Sequence, residues 1–251
     1  MSNQPTPTIS VITATYNAAA VLPRLIESLA AQTDQDFEWV VADGGSTDGT
    51  LEILEKAKSQ LKNVIIDSRP DFGIYDALNR AVKLSSGEYY VVMGADDEFF
   101  PNAIADYREA CLASKADFVT CRAWAGSKLL KKRKYKWDLI FNQNAHVAGH
   151  AVVLLIKKNL HQKVGFYSRS YPIAADHFFI ALAIKNNATV FESNAIVGRY
   201  SIDGLSSADI AGALTEDFRV NLRLGENFIF LVILLSLRLI KNKSKILTLK
   251  L

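Results

Sequence analysis

Short apolar runs alternate with amphipathic stretches through the first hundred residues. Residues 8–13 read as a strand and run into the polar loop Ala14-Thr15-Tyr16-Asn17. Residues 18–31 place Leu22, Leu25, Ile26 and Leu29 at helical spacing, with Pro23 tolerated in the first turn. A second strand over 37–42 ends at Asp43. In Gly44-Gly45-Ser46-Thr47-Asp48-Gly49 the glycines permit close backbone approach, and the Ser and Thr residues suit the cap of a helix over 50–59. Residues 63–68 form a third strand, and Arg69-Pro70-Asp71-Phe72-Gly73 breaks the chain. Residues 74–85 then line up Ile74, Ala77, Leu78, Ala81 and Val82 on one helical face, with Gly87 just past the end. A fourth strand over 89–93 stops abruptly at Gly94-Ala95-Asp96-Asp97.

Four strand–helix alternations predict a parallel, doubly wound sheet with right-handed crossovers. Polar residues follow each strand: Thr15, Tyr16 and Asn17, then Asp43, then Asp71, then Asp96 and Asp97. All would lie along the carboxyl edge of the sheet, where open α/β folds bind ligands. Adjacent carboxylates repel, so a fold that keeps Asp96 and Asp97 ionised usually supplies a cation. Hard oxygen ligands suit Mg²⁺ or Mn²⁺. The plainer reading is that the pair caps a helix begun by Pro101-Asn102.

The second half is less regular. Residues 102–114 read as a helix and 117–121 as a strand. The stretch from Lys128 to Trp137 is strongly basic, either a solvated hairpin or a patch for lipid headgroups or a pyrophosphate. His146 and His150 precede an apolar strand over 151–156 and have no third ligand nearby. Asp176 opens an apolar helix over 178–184, where a carboxylate is a natural cap. Residues 201–207 read as a flexible polar loop. Residues 227–237 are apolar all round, and Arg238, Lys241, Lys243, Lys245 and Lys250 follow. That run is shorter than the ~20 residues a bilayer span needs. It suits a helix lying on an anionic membrane surface, or else a core helix or dimer contact with a basic tail.

Composition narrows the class. The 251 residues, 49% hydrophobic and 22% charged, make one large α/β domain, or a domain with an appendage, and not a disordered chain. A net charge of +3 implies no nucleic acid, and aromatic residues are too sparse in the basic stretch for base stacking. Two cysteines, Cys111 and Cys121, give neither a disulfide framework nor a metal spacing, which fits a reducing cytoplasm. Residues 1–8 lack the pattern of a signal peptide. The first turn, residues 13–17, has no glycine, so the dinucleotide fingerprint is missing, and no Walker segment exists.

Four segments together resemble a known family. Ile12-Thr13-Ala14-Thr15-Tyr16-Asn17, then Asp43-Gly44-Gly45-Ser46-Thr47-Asp48-Gly49-Thr50, then Gly73-Ile74-Tyr75-Asp76-Ala77-Leu78-Asn79, then Ala95-Asp96-Asp97 look like the family 2 inverting glycosyltransferases of bacterial surface-glycan type. The resemblance implies the α/β GT-A fold, a mostly parallel sheet flanked by helices, with a catalytic domain over 1–210 and a C-terminal helical tail over 211–251. It implies a nucleotide-diphosphate sugar donor of uridine type and a divalent metal. Gly94 departs from the family, which often has an acid or Asn there, so the metal falls to Asp96 and Asp97. By the same resemblance Thr13, Thr15, Tyr16, Asn17, Asp43, Asp71, Gly73, Asn79 and Asp96 would bind the donor, with Asp43 accepting from the base ring. Asn79 reads equally well as an exposed helix position. Asp176 resembles the catalytic base, and His150 and Ser206 would lie on the acceptor side, Ser206 in a loop that by resemblance closes over the donor phosphates. The tail suggests a lipid-linked glycan acceptor and a peripheral place on the inner face of the cell membrane; a homo-oligomer stays open. The rival readings are a sugar-nucleotide pyrophosphorylase and an inactive nucleotide-binding scaffold.

Overall fold

The structure, a computed structural model, describes residues 9–129, 151–201 and 209–248. The expected alternation opens it: β1 (Ile9–Thr15), α1 (Leu22–Ala30), β2 (Phe37–Asp43), α2 (Thr50–Ala57), β3 (Val64–Ser68), α3 (Ile74–Leu84) and β4 (Tyr89–Val92). Next come β5 (Glu98–Phe99), α4 (Ala103–Ser114), β6 (Phe118–Ala125), β7 (Lys128–Leu129) and β8 (Leu154–Lys157). The chain closes with α5 (Leu160–Val164), α6 (Ala175–Lys185), β9 (Val190–Tyr200), α7 (Ile210–Arg223), α8 (Phe228–Lys241) and α9 (Lys243–Thr248).

Among the described residues the strands form one sheet in the order β3-β2-β1-β4-β8-β6-β9-β5, with β7 paired to β6. β1, β2, β3 and β4 are parallel neighbours, in the register Val11↔Trp39, Val11↔Val91 and Val41↔Ile66. The doubly wound expectation stops there. β8 runs antiparallel to both β4 and β6, so one reversed strand separates two parallel sets. β9 is parallel to β6, and β5 is antiparallel to β9. The strand expected over 151–156 opens as a 3-10 turn (Ala151–Val153) before β8 begins. The helix expected from residue 178 starts three residues earlier.

Strand alternation divides the core into two layers. Ile9, Val11, Trp39, Val41, Tyr89 and Val91 pack with Leu22, Leu25, Leu29, Leu54, Ile104 and Tyr107 of α1, α2 and α4. Ile12, Val40, Ala42, Tyr90, Phe118 and Ile156 pack with Ala77, Leu78, Ala81 and Val82 of α3, Phe179 of α6 and Val220 of α7. With helices on both faces, the functional side chains are left to the strand ends. The forward-running strands β1 to β4, β6 and β9 all finish on one edge, and Thr15, Asp43, Ser68, Gly94 and Ser201 stand there.

Candidate active site

The first three loops of this edge are tied together by side chains. The backbone N–H of Asn17 donates to Ser46 Oγ at 2.8 Å, and Thr47 N–H donates to Asn17 Oδ1 at 3.0 Å. Asn17 sits at φ 49, a left-handed position that asparagine tolerates. Asp43 is the knot. It is fully buried, and its carboxylate accepts from the Thr15, Ser46 and Ser68 hydroxyls and from the N–H groups of Gly45 and Ser46. Burial by itself would raise its pKa, but those hydrogen bonds, Ser46's first, hold it below the usual carboxylate range. A carboxylate has about four lone-pair positions. Asp43 therefore has little capacity left for a nucleobase N–H, and its visible work is to shape the loop.

A wall of the crevice forms where three loops meet. A Cβ on Gly44 would lie 2.9 Å from Asp71 Oδ2 and 3.3 Å from the Tyr16 ring, so only glycine fits between them. Tyr16 is 69% exposed and Phe72 85%, the latter with the Arg169 guanidinium 5.1 Å from its ring centre. Gly73 (φ 103) lets the chain turn into α3, and its N–H donates to Asp71 Oδ1 at 2.9 Å. Arg80, which the sequence pattern did not single out, crosses beneath. It donates to Asp67 at 2.8 Å and to the Asp43 carbonyl at 3.0 Å.

Two expected donor contacts lie elsewhere. Thr13 is buried and accepts from Trp39 Nε1 at 3.0 Å. Asn79 is buried too: its amide donates to the Tyr167 carbonyl at 2.9 Å and accepts from the Tyr167 N–H at 3.0 Å. Asn79 thus staples α3 to the chain before α6, and is not an exposed helix position. His150, Ser206 and most of the basic stretch lie outside the described residues.

Asp96 and Asp97 differ sharply. Asp97 is 2% exposed, and its carboxylate accepts from the Gly94 and Ser201 N–H groups, both at 3.1 Å. Burial and that charge raise the pKa of the Tyr200 hydroxyl. Asp96 is half-buried, and its carbonyl accepts from Arg24 of α1. A Cβ on Gly94 would meet Asp97 Oδ2 at 2.8 Å and Asp96 Oδ1 at 3.0 Å. The two carboxylates therefore converge on the space that a side chain at position 94 would fill. This explains the departure at Gly94, and convergent like charges of this kind fit a hard divalent cation. Among the described residues no group of three or more His, Cys, Asp or Glu side chains is placed to hold a metal.

Asp176 stands in the first turn of α6. Its Oδ1 accepts from the Tyr75 hydroxyl and from the His177 N–H, both at 2.7 Å, and Oδ2 has no hydrogen bond among the described residues. Burial and then the Asp176 charge push the Tyr75 hydroxyl well above its usual range, so Tyr75 stays protonated and donates. Tyr75 follows Gly73 by two residues. Asp176 is therefore brought to the rim beside the Asp71–Gly73 turn, although a hundred residues separate them in sequence.

A curled, mostly parallel α/β sheet with donor-type loops on its carboxyl edge is the architecture of the GT-A glycosyltransferases. Staphylococcus aureus TarS in complex with UDP superposes with a TM-score of 0.66 at 21% identity, over 94% of this chain and 72% of that one. The mannosyltransferase PcManGT of Pyrobaculum calidifontis, in complex with GDP-Man and Mn²⁺, gives 0.71 at 17% identity, over 96% and 76%. The chain belongs to glycosyl transferase family 2, whose sequence profile matches residues 10–171. A PGL/p-HBAD biosynthesis glycosyltransferase of Mycobacterium tuberculosis is 31% identical over 238 residues, 90% of either chain. The hyaluronan synthase of Pasteurella multocida is 36% identical over 106 residues, 42% of this chain and 10% of that protein. The protein is accordingly an inverting glycosyltransferase, and the pyrophosphorylase and scaffold readings fall away.

Proposed function

We propose that the protein moves a sugar from a uridine-diphosphate donor to a hydroxyl of a lipid-linked glycan, with Asp176 as the general base. The observation that carries this is the Tyr75–Asp176 contact, which holds one carboxylate oxygen beside the start of α3, while the other has no hydrogen bond among the described residues. The acceptor oxygen attacks the anomeric carbon as its proton passes to Asp176. The bond from that carbon to the diphosphate oxygen breaks on the opposite face, and one in-line displacement inverts the centre. Tyr16, the Gly44 backbone, Asp71 and Gly73 receive the nucleoside, and Thr15, Asn17 and Asp43 keep that wall in shape. Asp96 faces the ribose or sugar, and Asp96 with Asp97 would hold Mg²⁺ or Mn²⁺, which when bound supplies positive charge against the leaving diphosphate. Complexes of the structural neighbours with UDP, UDP-GlcNAc and GDP-Man with Mn²⁺ support the donor class.

The lipid-linked acceptor rests on α8. Only Leu231 of that helix is buried, whereas Ile229, Ile233, Leu237 and Ile240 form an exposed apolar stripe at i, i+4, i+8 and i+11. Lys241, Lys243 and Lys245 follow it, all exposed, and match an anionic surface. Arg238, expected among the headgroup-facing cations, instead pairs with Asp217 of α7. No helix of the described residues is long and apolar enough to cross a membrane. This is the surface-lying helix of a peripheral enzyme on the cytoplasmic face.

A panel of nucleotide sugars with Mn²⁺ or Mg²⁺, scored by released nucleoside diphosphate, tests the reaction. Release from a uridine donor that chelator abolishes, and that Asp97→Ala loses together with metal-dependent UDP binding, is the expected result. Release only from guanosine donors, or release indifferent to chelator, would overturn the donor or the metal assignment. Co-sedimentation with phosphatidylglycerol vesicles at low and high salt tests the tail. Binding should weaken with salt without vanishing, and failure to sediment, or dimerisation through α8 instead, sinks the membrane reading.

A further inference from the structure

The start of α6 lacks a cap of its own. Its N-cap position is Ala174, which has no side-chain acceptor, and within the first turn Asp176 accepts from the His177 N–H. Glu216 of α7 braces the residues that lead into it: Oε2 accepts from the Ile173 N–H at 2.9 Å and from the N-cap Ala174 N–H at 2.8 Å, and the side chain is buried. The neighbouring Asp217 lies 3.3 Å from His177 Nδ1 and also pairs with Arg238 of α8. Arg219 and Arg223, on the same turns of α7, place their guanidinium groups over Tyr171 and Phe178 at 5.3 and 5.9 Å. From the other side, the Tyr75 hydroxyl reaches the Ile173 carbonyl at 3.0 Å as well as Asp176. Residues 171–178 are thus gripped between α3 and α7, and Asp176 stands in the middle of the grip.

We infer that Glu216 and Asp217 are positioning residues for Asp176. They fix the helix start that carries the Asp176 carboxylate, and they do so from α7 and not from the donor loops. The inference rests on the reading of Asp176 as the base. Arg238 extends the grip to α8: it pairs with Asp217, and Asp217 in turn contacts His177, the residue that follows Asp176. A buried carboxylate is costly unless its charge is met, and here two N–H groups and a helix N-terminus meet it.

The test uses the full chain, with calorimetric binding of UDP and turnover measured as UDP released from the best donor of the panel. Glu216→Ala should lower turnover about ten- to a hundredfold, the cost of misplacing a reacting group by roughly 1 Å. UDP affinity should stay within about twofold, since the donor wall lies on other loops. Glu216→Gln, which keeps an oxygen for both N–H groups, should recover most of the loss. Should the alanine variant not fold, Glu216→Asp shortens the clamp by one methylene and should show the same split. In an Asp176→Asn background the Glu216 changes should cost nothing further. Turnover within twofold of wild type in a folded Glu216 variant, or turnover and UDP affinity falling together, would overturn the clamp. Near-normal turnover of Asp176→Asn would sink the base assignment itself. An inactive Asp176→Asn beside fully active Glu216 variants would sink only the clamp.

Discussion

The proposed donor edge of the first hundred residues and the segment around Asp176, the proposed base, are built by opposite means. At the donor edge each residue follows its own strand, and its partners lie one strand away: Thr15 with Asp43, Asn17 with Ser46 and Thr47, Asp43 with Ser68. Parallel pairing puts those strand ends side by side, so the loops meet as soon as the sheet forms. Asp176 has no such scaffold. Its hold comes from Tyr75 on α3, and its helix start is held by Glu216 on α7, in opposite directions along the chain. The proposed binding wall can thus be written in adjacent motifs, while the proposed base depends on distant helices meeting correctly.

Asp176→Asn should break the comparison most. It keeps shape and removes only the base, so turnover should fall about 10²–10⁴-fold with UDP binding intact. Turnover within a few-fold of wild type would mean that the second region binds and does not catalyse.

Next in size is the acid response of the core beside Asp176. His161 bonds to the Tyr90 hydroxyl at 2.8 Å and to the Gly165 carbonyl at 3.1 Å, with the Phe179 ring 4.4 Å away. Burial lowers its pKa from 6.5 to about 4. The unfolded chain therefore takes the proton more readily, and stability is full above pH 6.5 and declines as pH falls towards 4. The loss is at most on the order of 3 kcal/mol. Thermal melts from pH 7.5 to 4.5 should show this slope in the wild type and a flatter one in His161→Gln. Equal slopes would place the acid sensitivity elsewhere.

The smallest expected effect sharpens the other side. Gly44→Ala puts a methyl group against Asp71 and Tyr16, an overpacking of ~1–3 kcal/mol. UDP affinity should weaken about tenfold, with turnover at saturating donor unchanged. A fall in turnover with unchanged UDP affinity would mean that the two regions are not separable.

The hydrophobic pattern alone determined the four strand–helix repeats, the crevice along their carboxyl edge and the positions of Asp43, Asp71, Asp96 and Asp97. These follow from period-2 and period-3.6 burial and from residues adjacent in sequence. The expectation of Asp176 as the base comes from the family resemblance and not from that pattern, which gives only the apolar helix it opens. Only the tertiary structure decided what each polar group does. Asp43 and Asn79 read as ligand contacts in sequence, and the structure shows what that reading could not: both are held by hydrogen bonds within the protein, with partners up to 88 residues away. The reversed β8 was hidden because an apolar strand has the same pattern in either direction. Glu216 and Asp217 read as two ordinary acids on an amphipathic helix. Glu216 stands out only in space, because the N-cap Ala174 of α6 has no side-chain acceptor and an unmet N–H is satisfied by whichever acceptor the fold brings within about 3 Å; Asp217 does so through its contacts with His177 and Arg238. Hydrophobic periodicity is local and survives in one dimension; hydrogen-bond satisfaction is a property of neighbours in space.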